Sequence, residues 1–174
     1  SDVTGATTVY YTPYVGNEIA IYNGSSYVVS TYTELSLTLT ASQALSTIYD
    51  VFVFNNSGVL TLVTGPAWSN SAAGTSTRGT GAGTTQISRL GGLWVNTNQI
   101  SAKNGATTYT VGANLATYVG SILIDSVAGQ VSCYRSWGQS RIWGVWNAYN
   151  RAPIELQCGD NTASWTYTNA TVRA

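Results

Sequence analysis

The sequence contains no histidine. That removes the commonest general base near neutral pH and the commonest transition-metal ligand. Charge is scarce as well. Seven basic and seven acidic residues make up 8% of the chain, against about 25% in ordinary soluble domains. The net charge is zero. The cations are Arg78, Arg89, Lys103, Arg135, Arg141, Arg151 and Arg173, spread thinly and without a patch. Nucleic-acid binding rests on clustered cations that neutralise phosphates, so nucleic acid is not the expected partner. A freely diffusing monomer with so few charges has little colloidal protection. Either Thr, Ser, Asn and Gln keep its surface wet, or neighbours cover part of it.

Other absences narrow the chemistry further. No stretch reaches the roughly 18 apolar residues that a membrane helix needs. The opening "SDVTGATTVYY" lacks the basic and apolar regions of a signal peptide, so synthesis in the cytoplasm is the expectation. The two cysteines, Cys133 and Cys158, form no CxxC pair. They are either bridged or two buried thiols. The carboxylates Asp2, Glu18, Glu34, Asp50, Asp125, Glu155 and Asp160 include no marked pair of the kind a glycosidase sets across a bond. A Ser or Cys nucleophile would lack its histidine base, and no GxSxG occurs. "GTGAGTT" lacks the GK[ST] ending of a phosphate loop. "DNTASWTY" offers too few carboxylates for tight calcium binding. The expectation is a non-enzymatic chain with no cofactor and no metal.

What is present is strand pattern over most of the 174 residues. "NEIAIYNGSSYVV" (17–29) sets two β-rich runs around Asn-Gly, the strongest short hairpin signal. In "ELSLTLTAS" (34–42), Leu35, Leu37 and Leu39 alternate with Ser36, Thr38 and Thr40, which predicts a strand with one wet face. "YDVFVFNNSGVLTLVTG" (49–65) predicts a second hairpin, with Val51 and Val53 alternating against Phe52 and Phe54 so that both faces are covered. "PAW" (66–68) is expected to end that sheet, since Pro66 cannot donate to a ladder. Residues 69–88 then lose all apolar period and read as a flexible linker or an extended arm. Beyond them, an Asn-Gly turn at 104–105 and a long strand within 116–138 open a second β-rich block. The predicted fold is all-β. Two small antiparallel β modules, sandwich or barrel-like, span 1–68 and 89–174, joined by the Gly/Ser/Thr-rich segment.

The stretch "RIWGVWNAYNRAPIEL" (141–156) stands out for its aromatics. Its first part reads as strand or one helical turn. Trp143, Trp146 and Tyr149, with Arg151 beside them, are the candidate contact residues. Aromatics of this size dominate cores and interfaces, and Arg joins them where subunits meet. Burial in a domain or subunit interface is the first reading. A platform for sugar rings is the second.

Four segments also carry a resemblance. "PYVGNEIAIYNG" (Pro13–Gly24), "STIYDVFVFNNSGVLTL" with "GPAW", "WNAYNRAPIEL" and "SWTYTNATVRA" occur in that order. They resemble a widespread family of bacteriophage virion structural proteins, which carries a P-x-x-G-x-x-I-x-I-Y-x-G motif and a W-N-x-Y-N-R motif. The middle portion, "GGLWVNTNQISAKNG" and "TYVGSI", follows the family pattern only approximately. The resemblance implies a virion component made in the host cytoplasm, decorating the capsid or anchoring a head or tail fibre. Its implied partners are itself, as a homotrimer, and other virion proteins such as the major capsid protein. Because family members often continue into another β domain, the chain is expected to be a short member without the distal, receptor-facing part. The alternative is a carbohydrate-binding β-sandwich that attaches to a host-surface glycan.

Overall fold

The computed structural model describes residues 2–134 and 142–149. Within them every regular element is a strand. The first five are β1 (Val3–Ala6), β2 (Thr8–Tyr11), β3 (Glu18–Tyr22), β4 (Tyr27–Thr31) and β5 (Leu35–Thr38). Two long strands follow, β6 (Thr47–Asn56) and β7 (Val59–Ala67). Then come β8 (Ile87–Leu90), β9 (Leu93–Asn96), β10 (Ile100–Asn104) and β11 (Thr107–Val111). The last four are β12 (Ala116–Ile124), β13 (Val131–Tyr134), β14 (Ile142–Trp143) and β15 (Val145–Asn147).

All the pairings between these strands are antiparallel. The largest sheet has eight strands, in the order β11-β10-β7-β6-β12-β9-β8, with β15 also on β12. Three smaller sheets accompany it: β1-β13-β14, β2-β5 and β3-β4.

The expected hairpins form for local reasons. Asn23 accepts from the backbone N–H of Ser25 and of Ser26, both at 2.9 Å, and so shapes the β3–β4 turn. The β6–β7 turn is Ser57–Gly58, with φ of 52° and 96°. That double positive φ matches the right-handed twist of the flanking strands. Asn104 is the last paired residue of β10, opposite Thr107, and the Gly105–Ala106 turn joins β10 to β11.

β6 and β12 lie at the centre because both their faces are apolar. Tyr49, Val51 and Val53 enter one core with Leu37, Leu39, Leu62, Ile122 and Ile124. Phe52 and Phe54 enter another with Val63, Ile100, Val111 and Tyr118. The alternation of side chains along a strand makes both cores reachable from one element. Leu37 and Leu39 are buried while Ser36 and Thr38 are exposed, so that strand has the expected wet face.

The sheet strand ends within 66–68, as expected: β7 runs through Pro66 and stops at Ala67. The register slips there, with Tyr49 opposite Ala67 and Val51 opposite Thr64, so Pro66 sits in a bulge, where its missing N–H is tolerated. The central pairing of β6 with β12 joins residues from 1–68 and from 89–174 in one sheet. The segment 69–88 is held against that sheet: Asn70 bridges Thr77, Ser71 accepts from the N–H of Ile48 at 2.9 Å, and Thr85 is buried. Of the two readings of the aromatic stretch, strand is the one seen: Ile142–Trp143 and Val145–Asn147, with Gly144 between them.

Candidate functional site

The aromatic stretch crosses from one sheet to another. On β14, Trp143 lies opposite Cys133 in the three-stranded sheet. On β15, Trp146 lies opposite Ser121 in the large sheet. Two glycines permit the crossing. A Cβ at Gly144 would collide with the carbonyl oxygen of Ser132, and one at Gly120 with the carbonyl oxygen of Trp146. Gly120 sits where the β6–β12 register shifts, so β12 is bulged where β15 comes closest.

Trp143, Trp146 and Tyr149 are each part-exposed, Trp146 at 48%. Their backbones are tied in, but their rings are not core. Tyr149 follows β15, and its backbone N–H donates to Asn147 Oδ1 at 2.9 Å. Arg151 and Cys158 lie outside the described residues. Cys133 is half-buried on β13 and has no disulfide partner among the described residues.

Tyr149 walls two cavities. One, of about 510 Å³, is lined by Tyr11, Tyr14, Val15, Glu18, Tyr32 and Asn147, among others. Tyr11 and Tyr32 stack there at 5.2 Å between ring centres. Burial, then the neighbouring Tyr32 hydroxyl, pushes the Tyr11 phenol well above its ordinary pKa. This cavity brings "PYVG" together with "WNAY", segments more than a hundred residues apart.

The second cavity is an open groove of about 660 Å³. Arg78, Gln86, Arg89, Trp94, Tyr118 and Trp146 line it with Tyr149. Its floor rests on Asp50, which is fully buried on β6. Arg78 Nε donates to Asp50 Oδ2 at 2.7 Å and Nη2 donates to Oδ1 at 3.3 Å. Ser121 Oγ donates to Oδ1 at 2.6 Å, and Thr85 Oγ1 to Oδ2 at 3.3 Å. The buried carboxylate is thus fully satisfied, as a buried charge must be. The Arg78 guanidinium also lies 4.4 Å over the Trp68 ring, a cation–π contact.

Arg89 is exposed and lies 5.4 Å over Trp94. Burial raises the pKa of both Tyr118 and Tyr149. For Tyr149 the backbone N–H of Trp94 pulls the other way. The groove is a concave surface of aromatic rings and nitrogen donors. Among the described residues, no group of three or more His, Cys, Asp or Glu converges on a metal position.

Comparison with protein-family models, with curated proteins and with solved structures gave no match.

Of the four residues singled out from the sequence, the structure gathers Trp146 and Tyr149 at the groove, whereas Trp143 lies on the other sheet. Sequence reasoning missed Asp50, Arg78, Arg89 and Trp94. For Asp50 a signal existed. A carboxylate inside "TIYDVFVF" must find a buried cation. For Arg78 the signal was a lone charge in the Gly/Ser/Thr-rich segment.

Proposed function

We propose that this chain is a non-enzymatic structural module of a phage virion, one that decorates the capsid or anchors a fibre and works as a homotrimer. One observation carries the reading. The turn following β2 presents Tyr14 and Val15 at 81% and 92% exposure, beside the cavity where the two family-like motifs meet. Large apolar side chains held out on a chain of zero net charge suit a surface that a neighbouring subunit covers. The trimer follows by analogy with fibre and ornament proteins, which are commonly closed symmetric oligomers. Peptide mass spectrometry of purified particles of the virus that encodes the chain tests the assignment. The chain is expected at a fixed ratio to the major capsid protein. Its absence from washed particles would overturn the reading.

The second reading is attachment to a host-surface glycan, favoured by the groove. Exposed indole rings beside Arg and Gln donors offer a stacking face and hydrogen bonds on one concave surface. The two readings are compatible, because a virion ornament can carry a glycan site.

A further inference from the structure

We propose that the groove between the 78–86 segment, the β8–β9 hairpin and β15 binds an acidic saccharide. Its carboxylate would be taken by Arg89 and Arg78, and its rings would lie against Trp94 and Trp146. The proposal rests on the glycan-attachment reading and specifies its ligand.

Charge distribution carries it. The groove lining includes two arginines and no carboxylate, whereas the neighbouring cavity across Tyr149 includes Glu18 and no cation. Asp50, beneath the groove, neutralises Arg78. Arg89 has no salt-bridge partner among the described residues. Among the described residues the groove therefore carries about one unbalanced positive charge, on the same hairpin as the exposed Trp94. One charge suits a single carboxylate and is far too little for a nucleic-acid backbone, whose binding needs many.

The geometry of Arg78 is a second, independent indication. Nε and Nη2 are spent on Asp50 and Tyr118, while Nη1 makes no hydrogen bond among the described residues. Two bonds to a buried carboxylate and a stack on Trp68 fix the plane of the guanidinium. A planar donor already immobilised loses little entropy on taking a ligand oxygen. Gln86 adds an amide at the same rim, although its Oε1 already accepts from the Gly81 N–H at 2.8 Å. Size argues in the same direction. A groove of about 660 Å³ far exceeds a phosphate and matches a short oligosaccharide. Exposed aromatic walls would be wasted on a simple inorganic anion.

The test is isothermal titration calorimetry on the whole chain. The probes are tetragalacturonate, a glucuronate-containing hyaluronan tetrasaccharide and sialyllactose, each beside a neutral counterpart: reduced-carboxyl tetragalactose, tetra-N-acetylchitotetraose and lactose. At least one acidic probe is expected to bind more tightly than its neutral partner by roughly tenfold or more, the scale of a charge-assisted hydrogen bond. Arg89→Gln should erase that preference and leave the melting temperature unchanged, since Arg89 is exposed. Trp94→Ala should weaken acidic and neutral probes together. Affinity for the acidic probe should fall with added salt. Equal binding of acidic and neutral probes, unmoved by Arg89→Gln, would overturn the acidic assignment and leave glycan attachment standing. No binding of any probe at millimolar concentration would overturn both.

Discussion

Asp50 shows how much one residue can reveal and how much it withholds. A carboxylate between Tyr49 and Val51, in a strand apolar on both faces, has to be paired or neutralised. Its partner was not legible, because Arg78 lies 28 residues away in a segment with no periodic pattern. Removing one member of a buried pair strands the other. Arg78→Ala is therefore expected to cost about 3–5 kcal/mol of folding stability, measured by urea denaturation. A loss well below 1 kcal/mol would mean that water reaches Asp50 and that the floor of the groove is not fixed. Asn104 makes a similar point on the other side of the sheet. Its side chain donates to the carbonyls of Ser36 and Leu62, each at 2.9 Å, and accepts from the Thr38 N–H at 3.0 Å. It clamps β5 to β7 and β10, yet in sequence it is only the first residue of an Asn-Gly turn. Asn104→Ala should cost about 1–3 kcal/mol through the unpaired backbone groups it leaves behind, read by the same denaturation.

At the scale of the element, turns and the hairpins they close were legible, and distant strand partners were not. The Asn-Gly and Ser-Gly turns depend on residues within four positions of each other. The pairing of β6 with β12 joins residues about seventy apart, and no local pattern announces it. A Gly/Ser/Thr-rich stretch reads as linker because it lacks apolar period, yet 69–88 is held by polar contacts, which periodicity does not register. The crossing at residues 142–147 depends on Gly120 and Gly144, where backbone passes backbone. Gly144→Ala is expected to push β14 from β13 and β15 from β12, at a cost of about 1–3 kcal/mol. Because Trp143 and Trp146 ride on those strands, their fluorescence should shift as well. Unchanged stability and emission would show that the crossing tolerates a side chain.

Over the whole molecule, composition gave the all-β class and the scarcity of charge, and the structure adds how the surface is arranged. Burial raises the pKa of Tyr11, Tyr27, Tyr118 and Tyr149 above the unfolded value, which is about 10. Each phenol keeps its proton more tightly when folded. The resulting stability is fully present below about pH 10 and is lost as pH rises through the folded values. Denaturation midpoints measured from pH 8 upward should hold steady and then fall, with tyrosinate absorbance appearing late for the folded chain. Early titration of all twelve tyrosines together would contradict the upward shift of these four. The larger claim is that the exposed apolar turn at Tyr14 and Val15 is covered by another copy in an assembled particle. Its most direct test is the solution mass of the purified chain by light scattering, beside a Tyr14→Asp, Val15→Asp variant. The account predicts about three times the chain mass of 18.4 kDa for the native sequence and a fall to a single chain in the variant. A native chain that stays monomeric at high concentration, indistinguishable from the variant, would contradict it.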